Sequence, residues 1–151
     1  MTDPEFAHDY DLESVIKIRT KGLGLDFLVT PRFLNHYVKN IYEDASVRLV
    51  QQNAKGVAAF IDVGAHYGYF DVVVGRSNPA CKILAFEPVP ANAEILRRNL
   101  ALHGISGEVH QAAVSDKPGR HEIQVSEAGD NSGFAATPGV PVLRSIPVDV
   151  V

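Results

Sequence analysis

The sequence predicts an α/β fold built around a parallel sheet, and three observations carry that prediction. Two apolar runs, V-A-A-F-I-D-V-G at 57–64 and K-I-L-A-F-E at 82–87, have the length of buried strands, and each contains or ends on an acidic residue. A glycine bend, Gly64 to Gly68, follows the first run. Helical patterns alternate with the runs, as the crossovers between parallel neighbours require.

Taken in order, the opening M-T-D-P-E-F reads as a remnant of cloning and is set aside. Residues 7–29 are mixed: Gly22 and Gly24 break any helix, and Leu12 to Ile18 has room for a short strand or turn. Thr30-Pro31 is a helix start, with Thr as cap and Pro in the first turn. Leu34, Val38, Ile41, Ala45 and Leu49 recur at steps of three and four, which predicts one helix with that apolar face, ending near Asn53 to Gly56. Tyr37 and Tyr42 on this helix read first as packing residues and second as a substrate-pocket wall.

The run Y-F-D-V-V-V-G-R after Gly68 has strand-forming valines, but it stands where a crossover is needed, so it is expected to be a helix with Phe70, Val73 and Val74 on one face. Pro88 and Pro90 stop the second strand and open a helix from Ala91 to His103, with Ile95, Leu96 and Leu100 toward the sheet and Gly104 as left-handed cap. E-V-H-Q-A-A-V-S, 108–115, is a third strand. The middle of the chain is thus β-α-β-α-β, the mononucleotide-binding half of a Rossmann-like, doubly wound sheet. Lys117 to Gly119 is a turn, and 121–126 alternates as a sheet-edge strand does. Residues 128–141 form a loop, and Pro141 and Pro147 keep a last strand, 142–150, at an edge. The expected organisation is an N-terminal extension and helix, 1–56, before a nucleotide-binding unit, 57–151.

Composition sets outer bounds. The 151 residues are 46% hydrophobic and 21% charged, as in a globular protein with a sizeable core. A net charge of −4 and a single adjacent basic pair, Arg97-Arg98, argue against a nucleic-acid partner. No apolar run nears the ~20 residues of a membrane span, and the start lacks a signal pattern. One cysteine, Cys81, reads as a small core residue in a reducing, cytoplasmic compartment. It has no histidine partner at zinc spacing, and no metal site is expected.

The chemistry gathers at D-V-G-A-H-Y-G, 62–68, at the carboxyl end of the first strand, where open α/β sheets bind ligands. Gly64 lets ligand and backbone approach closely, and Gly68 leads into a helix start with free N–H groups. Asp62, an acid in an apolar strand, needs a cationic or donor partner, such as the ammonium of a bound amino acid. Glu87 stands 23 residues past Gly64, placed to accept from ribose hydroxyls. Two carboxylates suit a cationic nucleoside better than a pyrophosphate. The G-x-x-x-G bend also lacks the middle glycine of dinucleotide sites, which weighs against a nicotinamide-dependent oxidoreductase. No G-x-S-x-G elbow marks a hydrolase.

F-I-D-V-G-A-H-Y-G-Y-F, A-F-E-P-V-P-A-N, L-R-R-N-L-A-L-H-G and Q-A-A-V-S-D-K-P-G, with N-S-G at 131–133, resemble the FkbM family of class I S-adenosylmethionine-dependent methyltransferases. The resemblance covers 57 to about 150. It implies a Rossmann-like class I methyltransferase fold, present in part, and methyl transfer from S-adenosylmethionine to a hydroxyl of a sugar or natural product. It also implies that Asp62, Gly64 and Gly68 line the methionine part of the cofactor, that Glu87 holds the ribose and that Ala112 and Ala113 flank the adenine. Ala65, His66 and Pro88 complete the expected cofactor-binding set. His66 stands where the family often has Asn. A general base is expected, but no residue is assigned to it. In the family the stretch resembling I-P-V-D-V-V leads on to a further acidic strand. The expectation is therefore a shortened fold with one bare sheet flank, open to self-association. The alternative is a non-catalytic nucleoside-binding or assembly module.

Overall fold

The structure is a computed structural model that describes residues 14–39, 42–126, 133 and 142–151. Residues 1–13 and most of the 127–141 loop, including Asn131 of N-S-G, lie outside the described residues.

The first described elements form a β-hairpin, β1 (Ile16–Arg19) and β2 (Asp26–Val29), paired antiparallel. The turn runs through Gly22 and Gly24 at φ 89° and 59°, which is why glycine stands there. Phe27 and Val29 point inward and are fully buried. Thr30-Pro31 starts a single 3-10 turn that runs into α1 (Leu34–Val38), and α2 (Asp44–Ala54) follows. The expected single helix is therefore two pieces. Glu43, left-handed at φ 44°, precedes α2, so the apolar phase read through Leu34 does not carry across the break. Val38 and Leu49 are 41% and 62% exposed, while Tyr37, Val47 and Ala54 are buried instead.

From residue 59 onward the expected alternation holds: β3 (Ala59–Val63), α3 (Tyr69–Ser77), β4 (Lys82–Phe86), α4 (Pro90–Leu102) and β5 (Gly107–His110). The three strands form one parallel sheet in the order β3-β4-β5. The third strand is shorter than expected; beyond it Ala113 bridges to Val150. One face of the sheet, with Phe60, Asp62, Ile83 and Ala85, looks toward α3 and α4. There Ile95, Leu96 and Leu100 are buried with Val72 and Val73, and Phe70 is only partly buried. On the opposite face Ile61 and Val63 are 63% and 59% exposed. β3 lies at the edge of the described sheet, and no described helix covers its second face. Cys81 packs with Ala54 and Val74.

The N-terminal elements share this core, since Ile18, Phe27, Val29, Phe33, Tyr37 and Val47 cluster with the α3 and α4 side chains. Asn99, fully buried on α4, is the polar joint. Its Oδ1 accepts the Leu28 N–H (2.7 Å), and its Nδ2 donates to Leu28 O (3.0 Å) and to Tyr67 O (2.9 Å) in the glycine bend. One amide therefore joins the hairpin, α4 and the bend. His103, at the end of α4, meets Asp26 O at 2.7 Å. The last two strands, β6 (Gly119–Ser126) and β7 (Val142–Val150), pair antiparallel, with Pro147 opposite Glu122. Ile123, Val125, Ile146, Val148 and Val150 bury one face of this ribbon against Val89 and Ala113.

Candidate functional site

The site is built by two strand-to-helix turns. At the first, the N–H groups of Gly64 and Ala65 both donate to Phe86 O (2.9 and 3.1 Å), locking the start of the bend onto β4. Gly64 (φ 82°) and His66 (φ 51°) are left-handed, as is Gly68 (φ 77°). A side chain at Gly64 would meet nothing within 4 Å, so this glycine leaves open space beside the backbone. Gly68 differs: a Cβ there would lie 2.8 Å from Leu96 Cγ, so its lack of a side chain lets α3 and α4 close together. Of the two bend glycines, the first borders open space and the second serves helix packing.

At the second turn Glu87 is 4% exposed and engaged by its own chain. Oε2 accepts the His66 N–H (2.9 Å), and Oε1 accepts the Val89 N–H (2.9 Å) and Asn92 Nδ2 (3.3 Å). Burial pushes this carboxyl up from the ordinary range, and the three donors oppose the shift. A carboxylate has about four acceptor positions, so the three internal bonds leave room for about one ligand hydroxyl rather than two. Asn92, which no sequence signal marks as a site residue, is 1% exposed, and its Oδ1 has no partner among the described residues.

Between the turns and the N-terminal helices lies a cleft of about 450 Å³. Gly64, His66, Glu87, Pro88 and Asn92 line one wall; Phe33, His36, Tyr37, Tyr42 and Glu43 line the other. The His66 ring stacks on Tyr67 (3.9 Å between centroids) and meets Phe33 edge-on (4.7 Å). Thr30 Oγ1 and Tyr67 Oη share a buried hydrogen bond of 3.1 Å. Tyr37 and Tyr42 do both things considered for them: they pack in an aromatic cluster with Phe27 and Tyr69, and they face the cleft.

Not every expected contact lines the cleft. Ala65 is buried beneath the bend, and Gly68 is packed against Leu96. Ala112 is buried, and the Ala113 N–H and C=O bond to Asp149 and Val151 of the terminal ribbon. Asp62, half-buried two residues before Gly64, faces the helices rather than the cleft lining. Its neighbour is not a cation but a second acid, Asp71, fully buried on the first turn of α3. Burial first, and then the charge of Asp62, push Asp71 up to about 8; burial also raises Asp62. Nothing in the sequence marked Asp71 beyond its being an acid inside a valine-rich helix.

With this geometry in view, the comparisons with known proteins are decisive for the family. Residues 62–149, more than half of the chain, match the methyltransferase FkbM domain. The chain belongs to the FkbM methyltransferase family. The FkbM match begins at Asp62 and spans the glycine bend, Glu87 and the terminal ribbon. Curated relatives agree. The chain is 41% identical over 74 residues (48% of this chain, 28% of the relative) to the 31-O-demethyl-FK506 methyltransferase FkbM of Streptomyces tacrolimicus. It is 40% identical over 55 residues (36% and 22%) to Methyltransferase 1 of Beauveria bassiana. To methyltransferase sdnD of Sordaria araneosa it is 49% identical over 43 residues (28% and 17%). The matched stretches thus span between 17% and 28% of these relatives' length. Among solved structures it is similar to the Pyrococcus abyssi tRNA (uracil-54, C5)-methyltransferase in complex with S-adenosyl-L-homocysteine, with a TM-score of 0.48 and 19% identity over 70% of this chain and 28% of that one. The cofactor of an FkbM domain is S-adenosylmethionine. The residues present fit its nucleoside: an open glycine wall, a carboxylate with one acceptor position left, and an orphaned amide oxygen beside it.

Proposed function

We propose that this chain binds S-adenosylmethionine and supports methyl transfer to a hydroxyl oxygen of a small natural product or sugar. The observation that carries the reading is the cleft between the glycine bend and Glu87, whose polar groups sit on the wall that the FkbM match covers. A volume of this size suits a nucleoside-sized ligand. Glu87 and Asn92 Oδ1 would each accept one ribose hydroxyl, and Gly64 would lie against the ligand backbone. When bound, the cofactor supplies a methyl group on a sulfonium, already activated for transfer. The chain then needs only to orient the acceptor and exclude water. The aromatic wall of Phe33, Tyr37 and Tyr42 is suited to both. The hydroxyl acceptor is proposed by analogy with the relative whose name records 31-O-demethyl-FK506 as its substrate. A small-molecule rather than a nucleic-acid acceptor accords with the net charge of −4.

The test is calorimetric titration of the chain with S-adenosylhomocysteine, followed by transfer of a labelled methyl group to candidate acceptors. Saturable one-to-one binding, lost in Glu87→Ala, is expected. Folded protein that leaves millimolar S-adenosylhomocysteine unbound would overturn the proposal. One observation favours a second reading, that of a binding or assembly module: the bare second face of β3, at Ile61 and Val63. Binding without turnover on any acceptor would favour it.

A further inference from the structure

We propose that Glu43 is a specificity residue of the cleft: its carboxylate, with the neighbouring aromatic rings, favours the sulfonium of S-adenosylmethionine over the uncharged thioether of S-adenosylhomocysteine. The inference rests on the proposed cofactor reading and deepens it. It begins from the make-up of the cleft. Among the described residues its lining holds two carboxylates, Glu43 and Glu87, and three aromatic rings, Phe33, Tyr37 and Tyr42, but no lysine or arginine. Such a lining suits a cation and disfavours an anion. Asn92, on the wall facing Glu43, is buried with its Oδ1 unpartnered among the described residues, so a ligand has a bond to complete there.

The backbone singles out Glu43. Among the described residues, Glu43 and His66 are the non-glycine residues in the left-handed region, and both line this cleft, on opposite walls. His66 is tied down there: its N–H donates to Glu87 and its ring stacks on Tyr67. The Glu43 carbonyl accepts the Val47 N–H (2.9 Å), but its carboxylate pairs with no described cation, whereas the adjacent Asp44 pairs with Arg48 (2.8 Å). Glycine or asparagine would hold φ 44° with less strain, so the fold alone does not call for glutamate. Non-glycine residues held in this region cluster at ligand sites. A sulfonium has no N–H or O–H to donate; what distinguishes it is its charge, which a carboxylate and the negative faces of aromatic rings attract. It stands one methylene off the ribose, so a ribose held by Glu87 and Asn92 keeps it within the same cleft. On transfer the S–CH3 bond breaks and its electron pair stays on sulfur. The acceptor oxygen takes the methyl and gives up its proton to solvent. The positive charge on sulfur is then gone, so the wall that holds the donor lets the spent product leave.

The experiment titrates the full chain calorimetrically at pH 7 with S-adenosylmethionine and, separately, with S-adenosylhomocysteine. Wild-type protein should bind the first about tenfold more tightly, the combined pull of the rings and one carboxylate on a cation. Glu43→Gly and Glu43→Asn both suit the left-handed backbone and remove the charge. In each, the preference should shrink to about threefold, the share of the rings alone. The change should come from weaker S-adenosylmethionine binding, with S-adenosylhomocysteine affinity unmoved. Neither variant should lose stability in urea, since both relieve backbone strain. Glu43→Asp, which keeps the charge, should retain most of the preference. Equal wild-type affinity for the two nucleosides, or a preference that survives intact in both uncharged variants, overturns this inference and leaves the cofactor reading standing. If neither nucleoside binds folded protein, both fall.

Discussion

Glu87 spends three acceptor positions on its own chain, holding the His66, Val89 and Asn92 donors in place. Its first duty is therefore to join the two turns that form the cleft wall, and only its remaining acceptor capacity faces a ligand. Asn92 is expected to make up the difference. Asn92→Ala should weaken S-adenosylhomocysteine binding by about tenfold, the ~1.4 kcal/mol typical of one lost hydrogen bond, measured by the same calorimetry. A variant with unchanged affinity would remove Asn92 from the ribose site. Gly64 and Glu87, on the cleft wall, were legible in the sequence because their spacing is local: a strand end, a bend, and the next strand end. Asp71 and Asn92 were not. Asp71 stands nine positions after Asp62, across a strand end, a bend and a helix start, and only the fold buries it under the glycine bend. Asn92 lay within a quoted motif, but its free oxygen is a property of the surrounding hydrogen bonds, not of its spacing.

Helix α3 and its neighbours show what pattern reading captures and where it slips. The valine-rich run after Gly68 forms a helix despite its local strand preference, because β3 and β4 are parallel and adjacent and must be linked by a crossover. The N-terminal helix went the other way. The periodicity of three and four predicts a continuous helix, whereas the left-handed Glu43 rephases the chain and turns Ala45 and Leu49 outward. The hairpin strand β2 escaped notice because four residues are too short for a period, although Phe27 and Val29 alternate inward. Gly68 is the element-scale test. Gly68→Ala would force a side chain to within 2.8 Å of Leu96 at a φ of 77°. A loss of about 2–3 kcal/mol, from strain together with overpacking, is expected in urea unfolding. Gly64→Ala meets open space, so it should cost only about 1 kcal/mol in stability while cutting cofactor affinity.

For the molecule as a whole, the buried acids tie stability to pH. Asp71 is raised in the folded state from an ordinary value of 3.8 to about 8, so between those limits the folded protein holds a proton that the unfolded chain does not. Stability from this group is fully present at low pH and is lost as pH rises through about 8. The melting temperature of the ligand-free chain should therefore fall from pH 6 to pH 9, and Asp71→Asn should flatten that fall; a wild-type profile that rises across the same range would contradict it. Asn99 has a consequence of its own. Because one carboxamide grips both the Leu28 backbone and the Tyr67 carbonyl, the hairpin and the glycine bend form a single mechanical piece. Whatever pries the hairpin loose, whether a protease nick near Gly22 or a competing peptide, would strand the Asn99 amide against apolar surroundings and slacken the bend in the same motion. Ligand occupancy should in turn protect that distant turn from cleavage.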